Sequence, residues 1–201
     1  MLAALALAAD AARAEYLVEG SVDAGKAKSI TCTACHGAEG NSANPLWPNI
    51  AGQHASYIQV QLHAFKSGKR NNALMAPQAM MLSDEDIRNL SVYFESLPAA
   101  VQAVADPSTV KKAEVLYRGG NPDTGVAACL ACHGPTGRGN PAAKYPAIQG
   151  QHAAYTAQAL RDYASGNRVS ADKTQIMADI ASRLSEEEIV ALASYIQGLR
   201  P

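Results

Sequence analysis

Cys32-Thr33-Ala34-Cys35-His36 is the stretch that decides how this chain is read, and it has a second copy, Cys129-Leu130-Ala131-Cys132-His133. On a helix, residues i, i+3 and i+4 share one face, so the two thiols and the imidazole of each copy point the same way. All four cysteines of the chain belong to these two stretches. No thiol is left for another purpose.

That arrangement is the one covalent attachment of a c-type haem requires. Two sulfurs form thioethers to the two vinyl carbons, and the histidine that follows swings beneath the iron as its proximal ligand. A structural disulfide within each C-x-x-C would leave the adjacent histidine unexplained. A zinc ribbon would bring its second C-x-x-C within about 15 to 20 residues, and a thioredoxin-like motif would want a βαβ context that this chain lacks. Two copies, with matching sequence downstream and an export-like segment upstream, point to two covalently bound haem c groups.

Length and composition agree. The 201 residues, 48% of them hydrophobic, suffice for one large domain or two of about 85 to 100 residues, near the low end for independent folding. A haem in each core makes up that shortfall. Aromatic residues are only 5% and alanine is abundant, which favours helices over sheets. The formal net charge is −1; residues 15–98 hold 6 Lys and Arg against 8 Asp and Glu (−2), and residues 99–201 hold 10 against 9 (+1). So weak an imbalance argues against nucleic acid as a partner.

Residues 1–14 read as a signal peptide rather than as part of the fold. Leu2 to Ala9 is a short apolar run, and Ala12-Arg13-Ala14 fits a small-x-small cleavage pattern before Glu15. No Lys or Arg precedes the run, so an uncleaved amphipathic arm is the competing reading. No later apolar run approaches the ~20 residues of a membrane span. Export together with covalent haem fits a bacterial periplasm.

From Asp23 to Ala34 the pattern Ala24, Ala27, Ile30, Ala34 predicts a helix leading into the first motif. Gly37 to Pro48 is a loop, and a helix follows from Gln53 to about Ser67. Residues 69–81 read as irregular, with Pro77 barring a helix through the middle. Ser83 opens a helix whose Ile87, Leu90, Phe94 and Leu97 form one apolar stripe running to Pro98. Residues 99–109 have no firm periodicity and read as a linker. After it the sequence repeats itself.

Val110 to Tyr117 reads as a helix, Gly119 to Pro122 breaks it, and Val126 to Cys132 leads into the second motif. Gly52-Gln53-His54-Ala55-x-Tyr57 then matches Gly150-Gln151-His152-Ala153-x-Tyr155, and Ser67-Gly68-x-Arg70 matches Ser165-Gly166-x-Arg168. The last helix opens on a capping box, Ser185-x-x-Glu188, and its Ile189, Leu192, Ile196 and Leu199 mirror the earlier stripe. One domain has been duplicated at a period near 98 residues, too long for a solenoid. The expected fold is therefore all-α: domain 1 at 15–98, a linker at 99–109 and domain 2 at 110–201, each domain wrapped round one haem.

The repeat also selects the sixth iron ligands. Met177 stands seven residues before Leu184, and Met75 stands seven residues before Leu82. Met80 and Met81 have no partners in the second half and read as packing against the following helix. The rivals, His54 and His152, follow their proximal histidines by only 18 and 19 residues and read as surface or haem-edge positions. Methionine from a loop that wraps the far face is the preferred reading. Ligation by histidine and methionine raises the potential relative to two histidines and closes the iron to small molecules.

On these residues the chain resembles the dihaem cytochrome c4 family, tandem class I cytochrome c domains, over essentially all of 15–201. The resemblance rests on Cys32-x-x-Cys35-His36-Gly37, Gly40-Asn41-Ser42, Pro48 to Gln53, Met75-x-Pro77 and Leu82 to Ile87. The second half supplies Cys129-x-x-Cys132-His133-Gly134-Pro135, Pro146-Ala147-Ile148-x-Gly150-Gln151 and Met177 before Leu184-Ser185, without a proline two residues after Met177. It implies an electron carrier, not an enzyme, running between a membrane quinol-oxidising cytochrome complex and a terminal oxidase or other periplasmic reductase. Peripheral attachment to the membrane is compatible with that role. It also implies that the carbonyls of Pro48 and Pro146 accept a hydrogen bond from the proximal histidines. Tyr57, Tyr155, Arg70 and Arg168 then stand either as hydrogen-bond partners of haem propionates or as ordinary amphipathic packing. Two other classes stay open: the dihaem subunit of a dehydrogenase such as a sulfide-oxidising flavocytochrome, and a peroxidase, which would need a vacant iron site that two methionines deny.

Overall fold

The computed structural model describes residues 17–168 and 175–200; the predicted signal segment 1–14 lies outside the described residues. Among the described residues the regular structure is ten α-helices and one 3₁₀ turn, and the only ladder contacts are isolated bridges. In the first half these are α1 (Val22–Lys28), α2 (Ile30–His36), α3 (Ala55–Lys66), α4 (Met75–Met80) and α5 (Asp84–Ser96). In the second they are α6 (Val110–Gly119), α7 (Leu130–His133), α8 (Ala153–Ala164), α9 (Ile176–Ala181) and α10 (Glu186–Gln197). No helix among the described residues is long and apolar enough to cross a membrane.

The two halves fold by the same plan. α5 packs against α1 and α3, and α10 packs against α6 and α8. The apolar stripe of α5 forms the core, with Ile87, Leu90 and Phe94 no more than 3% exposed, and in the second half Ile189, Leu192, Ile196 and Leu199 are likewise buried. α1 approaches α5 so closely that a Cβ at Gly25 would lie 2.0 Å from the carbonyl oxygen of Asn89. Only glycine allows that crossing. Both long terminal helices begin with a full capping box, Ser83 with Asp86 and Ser185 with Glu188. The first box uses Asp in place of the usual Glu or Gln, so the sequence pattern did not single it out.

The linker from Ala99 to Asp106 has no regular structure and enters α6 through a single 3₁₀ turn, Pro107–Thr109. It lies against the second half: Gln197 donates to the Ala103 carbonyl, and Asp106 N–H donates to Ser194.

Three local expectations are corrected. The helix expected from Asp23 to Ala34 is two helices meeting at Ser29, whose N–H bonds back to Gly25 and Lys26 while its hydroxyl bonds to the Lys26 carbonyl. The stretch around Pro77 is helical, because Pro77 is the third residue of α4, where its missing N–H would have found no partner anyway. Met80 and Met81 do not pack inward; they are 64% and 69% exposed.

Candidate functional site

Each histidine of the paired motifs closes a short helix that a glycine terminates, Gly37 after α2 and Gly134 after α7, both with positive φ. The chain then turns through Gly40 or Gly137, whose carbonyl accepts N–H groups from Ile50 and Ala51 or from Ile148 and Gln149. That fold-back presents a proline carbonyl to the imidazole. His36 Nδ1 lies 2.9 Å from the Pro48 oxygen, and His133 Nδ1 lies 3.0 Å from the Pro146 oxygen. A carbonyl only accepts, so Nδ1 carries the proton and Nε2 keeps its lone pair. Burial lowers the pKa of both histidines, against a smaller opposing effect of the proline carbonyl. Neutral rings, with Nε2 free to ligate a metal, result.

All four cysteines are free thiols. Cys32 packs against the core of Ile58, Leu90, Tyr93 and Phe94, and Cys129 against that of Leu116, Tyr117 and Leu192. Burial raises both pKa values, that of Cys129 to about 11. Cys35 is exposed, and Cys132 is half-buried like Cys129. Ser42 locks the first loop, donating through Oγ to the Cys35 carbonyl and taking the Asn49 side chain on its N–H. In the second half Tyr117, wholly buried, donates to the Gly134 carbonyl at 2.7 Å; no repeated residue announced that contact.

Met75 is the first residue of α4 and Met177 the second of α9. These short helices pack on α3 and α8 respectively, and both methionines are half-buried. The repeat thus places them on equivalent elements.

The repeated residues between the motifs meet at the seam joining the halves. Gln53 donates to the Ala147 carbonyl at 2.7 Å and accepts the Ala147 N–H at 2.9 Å. Gln151 does the same to Asn49, at 2.8 and 2.9 Å. Each glutamine therefore grips the backbone of the residue after the histidine-orienting proline of the other half. His54 Nε2 donates to the Arg138 carbonyl at 2.6 Å and His152 Nε2 to the Ser42 carbonyl at 2.8 Å, again across the seam. The surface reading of these two histidines is corrected: each reaches across the seam to a backbone carbonyl of the opposite half.

Arg70, Arg168, Tyr57 and Tyr155 form one cluster across the same seam. Arg70 donates to Tyr155 and Gln61, and Arg168 donates to Tyr57. Arg70 lies over Phe65 and Arg168 over Tyr163, and the two arginine backbones pair in an isolated bridge. Arg168 is only 5% exposed, yet no carboxylate pairs with either guanidinium among the described residues. Burial would raise the Tyr155 hydroxyl, but the two guanidinium groups outweigh it and bring it to about 8. Arg168 buried and Arg70 half-buried thus bring two cations to the seam without a carboxylate partner among the described residues, an arrangement that favours a neighbouring anion.

The residues present therefore fit two covalently held haems: four free thiols, two neutral imidazoles with a free Nε2, and a cationic cluster between the halves. A family model for cytochrome c matches residues 22–98 and 124–200. The chain is 46% identical, over 90% of its length and 93% of the relative's, to cytochrome c4 of Thiocapsa roseopersicina. It is 34% identical, over 83% of its length and 78% of the relative's, to the thiosulfate dehydrogenase electron acceptor of Stutzerimonas stutzeri. The crystal structure of reduced recombinant cytochrome c4 from Pseudomonas stutzeri superposes with a TM-score of 0.87 at 42% identity, covering 90% of this chain and all of that one. Two cytochrome c domains imply two covalently bound haem c groups. Duplicated fold, paired cysteine–histidine motifs and relatives agree that this chain belongs to the dihaem cytochrome c4 family.

Proposed function

We propose that this electron-transfer protein works in the periplasm, taking electrons from a membrane quinol-oxidising cytochrome complex and delivering them to a terminal oxidase or periplasmic reductase. The haem irons, when bound, supply one-electron ferrous–ferric couples. The chain's residues do the rest. Cys32 and Cys35, and Cys129 and Cys132, would anchor the groups, and His36, His133, Met75 and Met177 would supply the iron ligands. Pro48 and Pro146 hold the imidazole tautomer, and Arg70, Arg168, Tyr57 and Tyr155 receive propionates. Iron ligands supplied by side chains on both counts would leave no site for an exchangeable molecule, and the chain would then support outer-sphere transfer with little reorganisation. Encounters with partners are brief.

The observation that carries this reading is the duplicated imidazole lock, Nδ1 to proline carbonyl at 2.9 and 3.0 Å, because it fixes two equivalent one-sided metal ligands in one chain. A potentiometric titration of the holoprotein, followed at each haem, tests it. Two one-electron waves and an intact iron–thioether absorption band in the red are expected. Peroxide turnover, or bis-histidine spectra, would refute it. A dehydrogenase remains a second candidate donor, since one relative is named as the electron acceptor of thiosulfate dehydrogenase. The flavocytochrome-subunit alternative is not favoured by these relatives.

A further inference from the structure

The loop that carries each histidine-orienting proline is fixed by different residues in the two halves. In the first half the Ser42 hydroxyl donates to the Cys35 carbonyl at 2.9 Å, and the Asn49 side chain accepts the Ser42 N–H at 2.8 Å. Counted from Gly40 and Gly137, and from Pro48 and Pro146, those two places fall to Gly139 and Ala147 in the second half. Neither has a polar side chain. The Gly139 N–H donates to the His133 carbonyl at 2.8 Å, and the further hold comes from Tyr117. Counted from Val22 and Val110, the first residues of α1 and α6, Tyr117 stands where the first half has Ser29. Ser29 uses its hydroxyl locally, on the Lys26 carbonyl at 2.8 Å. Tyr117 reaches 17 residues along the chain to Gly134, the residue after the second proximal histidine.

The difference comes to rest on one oxygen. The Gly37 carbonyl accepts the Gly40 N–H at 3.1 Å, and no side chain joins it among the described residues. The Gly134 carbonyl accepts both the Gly137 N–H at 3.2 Å and the Tyr117 hydroxyl at 2.7 Å, so its two lone pairs are used. Tyr117 is fully buried, packs in one cluster with Cys129, and has its ring 5.5 Å from that of Tyr195. A phenol keeps its proton at neutral pH, and in so dry a setting the dipole of its bond is not screened by water. A ferric haem carries one positive charge more than a ferrous one. An uncovered carbonyl oxygen one residue beyond an iron ligand therefore favours the ferric state, and a donor that covers it favours the ferrous. We propose that Tyr117 is a positioning residue for the second haem alone: by donating to the Gly134 carbonyl it holds the chain beyond His133 and raises the reduction potential of that haem, a contact that the first half lacks. The proposal rests on the reading of His133 as the proximal ligand.

Tyr117→Phe keeps the ring and removes only the hydroxyl, and Tyr195→Phe does the same to the neighbouring ring of the same core as a control. Both holoproteins and the unaltered one are titrated potentiometrically with the two haems followed separately, while magnetic circular dichroism reports the axial ligands. Tyr117→Phe should lower the ferrous-to-ferric ratio of the second haem at a fixed potential by at least about threefold, a fall of about 28 mV for one electron. The first haem should stay where it was, and Tyr195→Phe should move neither. A smaller fall or a rise at the second haem, an equal shift at both haems, or a matching shift in Tyr195→Phe overturns the role of Tyr117. If histidine ligation of the second haem is intact in those samples, that role fails alone. A second haem without histidine ligation in the unaltered protein would overturn it together with the reading of His133.

Discussion

Replacing Gln53 by alanine tests the idea that each half positions the proximal histidine of the other. Gln53 is 9% exposed and makes three hydrogen bonds: two with Ala147 across the seam, and one from the His54 N–H at 3.0 Å. At about 1 kcal/mol net for each bond, the loss is about 3 kcal/mol. Ala147 is half-buried, so water can reach the orphaned groups and the larger cost of a dry unpaired amide does not apply. The effect should be crossed. Ala147 follows Pro146, whose carbonyl orients His133, so the change in the first half should be felt at the second haem. Denaturant unfolding followed at each haem, combined with a haem-resolved redox titration, reads both quantities. A loss below about 0.5 kcal/mol, the size of a neutral surface change, would refute the clamp. So would a potential that moves only at the first haem. Gln53→Glu sharpens the test, since an ionised carboxylate accepts both N–H groups but cannot donate to the Ala147 carbonyl.

Other expectations follow from the same geometry. Met75→His should lower the potential of the first haem and remove half of the iron–thioether band, the second haem being unchanged; a retained band would reassign the ligand. Arg168→Gln removes a buried cation from the seam and should lower the haem potentials, because a nearby positive charge favours the ferrous state, whereas unchanged potentials would mark the cluster as packing alone. Ser185→Ala breaks the cap of α10 and should cost about 1 kcal/mol in denaturant titrations.

Much of this molecule was legible in one dimension. Helix-spaced Cys32, Cys35 and His36, their second copy, and the stripe Ile87, Leu90, Phe94 repeated as Ile189, Leu192, Ile196 are local periodicities, and the backbone converts such spacing directly into a shared face. The capping box at Ser185 was readable for the same reason. Even Pro48 and Pro146 could be matched by resemblance, because the loop between motif and proline has nearly the same length in both halves.

What tertiary structure alone decided lies at the seam. The sequence showed that Gln53, His54, Tyr57 and Arg70 recur as Gln151, His152, Tyr155 and Arg168, but repetition is silent on whether a residue serves its own half or the opposite one. Folded, they cross: Gln53 grips Ala147, His152 reaches Ser42, and Arg168 finds Tyr57. Met80 and Met81 turned outward because α4 buries only Ala79 on its inner side. Hydrophobic pattern fixes which face of a helix is buried, whereas pairing across an interface depends on how two preformed surfaces dock, and contacts about 100 residues apart leave no periodic trace along the chain.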